Sequence, residues 1–466
     1  MTAETSEVPS SGNQAWPAPR AGAPVCGEVS VPASKSLTNR YLLLAALAEG
    51  PSVVVNALDS RDSRLMLRAL EALGAAVEHI PDWEGSGEAA VRVTPVPLAG
   101  GSSPGGLSSA PAEVDCGLAG TVMRFLPAVA ALTGRPAEFD GDPEARIRPM
   151  GAVLEGLSAL GAQITPRGEA GFLPFAVESP GGLEGGEIAI DASASSQFVS
   201  GLLLAAPRMR NGLTLRHTGE AVPSSEHVAM TVQVLREAGV AVDDSEPFVW
   251  SVSPGPIPAF TARVEPDLSN AGPFLAAAAA TGGEVVMRGW PAASTQIGRR
   301  WTELLPQFGA ETHPEPEPGG RTVTLTVRGR RDAAGAPLVV SPGTVDGTAE
   351  LTPTVAALAA LAEGPTTFTS VQHLRGHETD RIAALVAEIR RLGGEAEETP
   401  DGFRITSAVR RGGTVLSYAD HRMATFGAVL GLRVDDVFVE DIGCTSKTMP
   451  TFPALWRGLV EGDASA

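Results

Sequence analysis

The chain has 466 residues, 43% hydrophobic and 19% charged, a globular composition but more than one hydrophobic core usually fills, so two domains are expected. A formal charge of −19 disfavours nucleic acid as the main partner, because phosphate backbones are held by an excess of Lys and Arg; a small anion would need cations gathered at one place. Three widely spaced cysteines, Cys26, Cys116 and Cys444, make neither a disulfide framework nor a metal-ligand cluster, which points to a reducing cytoplasm.

In chain order, residues 1–24 are rich in Ser, Pro, Ala and Glu, without a basic start or apolar core, and read as a disordered tail rather than a signal peptide. No apolar run reaches the roughly 18 residues of a membrane span. A helix of small and aliphatic residues, then a turn, then a β-branched run, recurs six times: "LLLAALAEGPSVVVNAL", "LPAVAALTGRPAEFDG", "GLLLAAPRMRNGLTLRH", "FLAAAAATGGEVVMRGW", "VAALAALAEGPTTFTSV" and "FGAVLGLRVDDVFVED". The turns lie near Gly50, Gly134, Gly212, Gly282, Gly364 and Arg433, a period of about 70 to 84 residues. In five units an amphipathic helix follows and ends in Gly before a strand, as in "ALGAAVEH" and "RLGGEAEE". The pattern predicts six α/β units, three per domain. The first helix of each has too few charges to face water, so helices lie inside and sheets outside. "LAGGSSPGGLSSAP" and "HPEPEPGG" read as surface loops.

Each of the six helices is preceded by a candidate N-cap: Ser36, Thr121, Ser195 or Ser196, Ser269, Thr352 followed by Pro353, and Asp420. Caps occur without any site. In equivalent copies of one unit, however, all six N-termini can face one cleft with their free N–H groups. Cations stand near these starts at Lys35, Arg40, Arg124 and Arg422, with Arg148 and Arg381 in separate polar segments. Helix dipoles supply only about 0.3 to 1 kcal/mol each, so charge-assisted contacts do most of the holding. The cleft is expected to bind a ligand with several negative charges.

Only two of the 35 basic residues are lysines, Lys35 in "PASKSLTNR" and Lys447 in "CTSKTMP", both in turns flanked by Ser and Thr. Arg suits permanent bidentate grips, whereas Lys is a compact charge that can lose its proton when buried, so these positions suggest proton transfer or a single charge in a tight place. Carboxylates stand near other helix starts: Glu350, Glu378 and Asp380 in "HETDR", and Asp420 before His421 and Arg422. The chain has no G-x-G-x-x-G after a strand, no P-loop, no G-x-S-x-G and no HExxH, and implies no metal.

"PASKSLTNR", "LAGTVMRF", "SSQF", "HETDR", "DHRM" and "CTSKTMP", in this order and each at its own repeat, resemble the 5-enolpyruvylshikimate-3-phosphate synthase family from about Val25 to Leu459. The resemblance implies a two-domain inside-out α/β barrel of six units. One lobe would be residues 25–31 with 265–466 and the other 32–264, with crossings near Pro32 and Val264 and the active site between them. It implies transfer of the enolpyruvyl group of phosphoenolpyruvate to the 5-hydroxyl of shikimate 3-phosphate by addition and elimination. No cofactor or metal is involved, and the chain would be a cytoplasmic monomer without nucleic-acid or membrane partners.

Carried over by motif, Lys35, Ser36, Arg40, Ser195, Ser196, Gln197, Ser224, Glu350 and His377 would hold shikimate 3-phosphate. Lys35, Gly120, Arg148, Gln197, Arg381, Arg422 and Lys447 would surround phosphoenolpyruvate. Glu350 would take the hydroxyl proton, and Glu378 with Lys35 or Lys447 would deliver protons. Gly120 leaves room for the inhibitor glyphosate, which implies sensitivity.

Three positions depart from the family: Glu350 replaces an Asp, Leu118 an Asn, and His377 a Lys. The extra methylene of Glu350 changes its reach by about one C–C bond, Leu118 removes a side-chain hydrogen bond, and an imidazole at 377 changes charge near neutral pH. Two rivals are a sister transferase acting on a UDP-sugar, which needs a reactive Cys where Cys116 reads as packed, and a non-catalytic anion-binding protein.

Overall fold

The computed structural model describes residues 15–100, 110–376 and 378–462. Six helices form its centre: Lys35–Leu47, Gly120–Thr133, Ser196–Ala205, Gly272–Thr281, Thr352–Leu361 and His421–Gly431. Ala and Leu favour the helix, and without a charged stripe no face prefers water, so nearly every side chain along them is buried. The first three pack on one another, as do the last three. Gly134 (φ 73°) and Gly282 (φ 66°) end two of them in the left-handed region, where a side chain would be strained.

Of the expected caps, Ser195 and Asp420 hold, whereas Ser34 replaces Ser36 at the first helix and the other three starts differ. Ser34, Ser195 and Asp420 accept the N–H groups of Leu37, Gln197 and Arg422. The helices from Gly120, Gly272 and Thr352 begin without a side-chain cap. Pro273 and Pro353 open the last two, where a missing N–H breaks no helical bond.

Among the described residues six sheets lie against these helices, and five share one strand order. In the second, Ala112–Asp115, Ala137–Asp140, Phe175–Glu178 and Gln163–Pro166 lie side by side, the first pair parallel and the others antiparallel. In the first and fourth, the edge strand comes from far along the chain: Thr261–Arg263 lies parallel to Ser52–Val55, and Cys26–Glu28 to Glu284–Pro291. Beside these exchanged strands the two crossing segments form a short ribbon. Ala33 bridges Pro266, Ser34 N–H donates to Glu265 O at 2.8 Å, and Asp267 N–H donates to Pro32 O at 2.8 Å. One apolar core is built from residues between 33 and 264, the other from residues between 16 and 29 and between 268 and 459.

From residue 15 on, the expectation of a disordered tail is corrected. Trp16–Pro17 pairs antiparallel with Val439 and Phe438 and completes the sixth sheet, which otherwise has only Gly413–Val415 and Val437–Val439. Trp16 is buried there; its indole gains apolar cover that composition alone does not reveal. Residues 1–14 of the tail and most of the loop Leu98–Pro111 lie outside the described residues. Among the described residues no helix is long and apolar enough to cross a membrane.

Candidate active site

The central helices point several of their N-terminal ends into one cleft walled by both cores. On one wall lie Lys35, Ser36, Gly120, Arg148, Ser195, Ser196, Gln197 and Ser224. On the other lie Glu350, Glu378, Arg381, Arg422 and Lys447. The two lysines, 412 positions apart in number (447 − 35), therefore share one site. Arg40 is not in the lining. Its guanidinium is buried behind the wall, donating from Nε to Thr231 Oγ1 at 2.8 Å and from Nη1 to Ser36 O at 2.9 Å. His377 lies outside the described residues.

Four of the cations in the cleft, Lys35, Arg381, Arg422 and Lys447, are held by carboxylates. Lys35 Nζ donates to Asp62 Oδ2 at 3.1 Å, and Lys447 Nζ to Glu378 Oε1 at 2.6 Å. Arg381 donates from Nε to Asp420 Oδ2 at 2.7 Å and from Nη2 to Glu378 Oε2 at 2.5 Å, while Arg422 Nη2 stands 3.3 Å from Glu350 Oε2. Burial works against all these charges, and pairing offsets it. Burial would lower the Lys35 pKa, but Asp62 and Glu378 outweigh it and hold the ammonium above the ordinary lysine value. Of the two readings of this lysine, proton transfer or a single charge in a tight place, the raised pKa supports the second. Burial would raise the pKa of Glu378, but Lys447 and Arg381 hold it well below the usual carboxylate range. For Glu350 the same opposition is won by Arg422 and His227, with Ser269 donating to Oε1 at 2.6 Å.

Gly120 has a steric reason. A Cβ there would lie 2.9 Å from Gln197 Oε1 and 3.1 Å from Arg148 Nη2, so glycine lets both side chains close over the helix start. Arg148 Nη1 donates to Leu118 O at 3.2 Å, which makes a backbone carbonyl the local anchor at the position where Leu118 offers no side-chain hydrogen bond.

Several lining residues carried no assignment from the sequence. Arg124 was counted among the helix-start cations; its Nη1 donates to Gln197 Oε1 at 2.9 Å and Ser195 Oγ at 3.2 Å, fixing both. Asp62, in the first turn of Arg61–Ala72, and His227, in the first turn of Glu226–Glu237, had nothing to mark them, since polar residues are ordinary at helix starts. Asp267 sits on the crossing ribbon, its Oδ1 accepting from Ser269 and Asn270 N–H. Glu378, Asp420 and His421 have a spacing that could suit a metal ion, but Arg381 and Lys447 already engage those carboxylate oxygens. Cys116 is free and fully buried, and burial pushes its thiol pKa up, opposite to a reactive cysteine.

Comparison with known proteins gives the family. Residues 19–456 match the model of the family described as EPSP synthase (3-phosphoshikimate 1-carboxyvinyltransferase). The chain is 52% identical over 447 residues to the 3-phosphoshikimate 1-carboxyvinyltransferase of Kocuria rhizophila, covering 96% of each. Two solved structures of EPSP synthase from Acinetobacter baumannii superpose with TM-scores of 0.73 at 25% identity, over 95% of this chain and 96% of theirs. With sequence and fold both matched over almost the full length, the chain belongs to the EPSP synthase (3-phosphoshikimate 1-carboxyvinyltransferase) family.

Proposed function

We propose that the chain transfers the enolpyruvyl group of phosphoenolpyruvate to the 5-hydroxyl of shikimate 3-phosphate, releasing phosphate, on the route to aromatic amino acids. The observation that carries this reading is the meeting of Lys35, Arg148, Arg381, Arg422 and Lys447 with two depressed carboxylates in one cleft. Both substrates are polyanions, and the burial of the charged side chains strengthens each charge contact.

In this reading Ser36, Ser195, Ser196 and Ser224 hold shikimate 3-phosphate, with Arg40 bracing Ser36 from behind. Gly120, Arg148, Gln197, Arg381, Arg422 and Lys447 surround phosphoenolpyruvate. The lobes, 25–31 with 265–466 against 32–264, close on both. Glu350, ionised, takes the proton of the 5-hydroxyl as its oxygen attacks C2 of phosphoenolpyruvate. The Lys447–Glu378 pair delivers a proton to the methylene carbon, giving the tetrahedral intermediate, and the same pair recovers a proton from the methyl group as phosphate leaves. Lys35, paired with Asp62, supplies a compact positive charge to the cleft.

The test is phosphate release by the purified chain with both substrates, together with chromatographic detection of the enolpyruvyl product. Binding of shikimate 3-phosphate without turnover would leave a non-catalytic anion binder. Loss of activity on thiol alkylation would favour the UDP-sugar rival, which the inert Cys116 already disfavours.

A further inference from the structure

Glu350 is held by three partners of different kinds. Ser269 Oγ donates to Oε1 at 2.6 Å, Arg422 Nη2 lies 3.3 Å from Oε2, and His227 Nε2 lies 3.7 Å from the same Oε2. Ser269 and Arg422 belong to the same side of the cleft as Glu350, whereas His227 comes from the opposite wall, in the first turn of Glu226–Glu237. Of the three, a guanidinium cannot release its proton and a serine hydroxyl holds its own too tightly; imidazole is the side chain that exchanges one near neutral pH.

We propose that His227 is the positioning partner of Glu350 across the cleft, receiving from it the proton that Glu350 takes from the substrate hydroxyl. The proposal rests on the reading above, in which Glu350 is the acceptor. In balanced form, the O–H bond of the 5-hydroxyl breaks as its oxygen bonds to C2 of phosphoenolpyruvate, and the proton passes to Glu350 Oε2. It then moves to the lone pair of His227 Nε2, restoring the carboxylate and leaving an imidazolium that discharges to water. His227 has a way out for the proton, since its side chain is 21% exposed.

Three features support the relay. First, against burial, Arg422 favours the ionised form of Glu350, so a proton on that carboxylate is poorly held and needs a next acceptor. Second, His227 is fixed by its backbone: its carbonyl accepts from Arg40 Nη2 at 3.0 Å, Thr231 Oγ1 at 2.9 Å and Ser200 Oγ at 3.4 Å. Arg40, removed from the lining, thereby acquires a role. Third, the extra methylene of Glu350 extends the carboxylate across the cleft, and a shorter Asp would draw it back from the ring. The charged groups around the pair are Arg422, Arg381 and Asp267 on one wall, with Arg40 and Glu226 on the other. At 3.7 Å the contact is longer than a hydrogen bond.

The test compares wild type, His227→Gln and Glu350→Asp in kcat, KM and pH profile, with direct calorimetric binding of shikimate 3-phosphate reporting an intact site. Expected for His227→Gln is a fall in kcat of about 10- to 100-fold, KM within about threefold, and loss of a near-neutral limb from the kcat profile. Adding Glu350→Asp to His227→Gln should cost little more than either alone, because both break the same relay. An unchanged kcat or pH profile in His227→Gln, or a rise in KM alone, overturns the relay. A wild-type chain without turnover would overturn the functional reading instead, so the two failures are distinguishable.

Discussion

Between Asp62 and Glu378 the ammonium of Lys35 loses most of its water and gains two carboxylates, and the balance keeps it charged. A guanidinium has the same charge in a wider, planar fork that does not fit a point contact. Lys35→Arg should therefore lower kcat by roughly 100-fold or more with the circular dichroism spectrum unchanged; near-normal turnover would show that charge alone suffices. Gly120→Ala puts a methyl where Gln197 and Arg148 now close in. Expected are a rise in the KM for phosphoenolpyruvate of about tenfold, equivalent to one small steric displacement, and weaker inhibition by glyphosate, read from initial rates. For pH, Glu378 has a folded pKa below its unfolded one, so its contribution is present above the ordinary value of 4.5 and is lost as pH falls through the lowered value. Glu378→Gln should destabilise the chain at pH 7 by about 3 kcal/mol through stranded buried cations, and the difference should shrink below pH 4.5 in urea titrations.

The central helices owe their burial to neighbours that come very close. Gly201 of Ser196–Ala205 lies against Gly120–Thr133 so tightly that a Cβ would stand 2.4 Å from Arg124 O. Gly201→Ala should destabilise the fold by about 1 to 3 kcal/mol through forced helix separation, measured as a lower urea midpoint. It should also weaken shikimate 3-phosphate binding, because Arg124 Nη1 is what fixes Ser195 and Gln197. The periodic Ala and Leu of these helices were legible as buried faces. Their caps were less so: side-chain hydroxyls compete with prolines and plain backbone starts, and the choice depends on the turn before the helix.

At the scale of the molecule, distant segments close each lobe. Trp16–Pro17 supplies the sixth sheet with its third strand, and the exchanged strands Cys26–Glu28 and Thr261–Arg263 tie the crossings to both lobes. Removing residues 1–24 should lower stability by about 2 kcal/mol, the scale of burying one large apolar side chain. Calorimetry should show the loss in the lobe carrying Val437–Val439; an unchanged transition would mean the strand adds nothing.

The sequence by itself determined the sixfold α/β repeat, the buried helices and the motifs that name the family, because each depends on neighbours within a few turns of chain. Tertiary structure decided the state of Lys35, the withdrawal of Arg40 from the cleft, and the entry of Asp62 and His227 into the site. Charge state and reach follow from which side chains face one another across hundreds of residues, and no local pattern carries that distance.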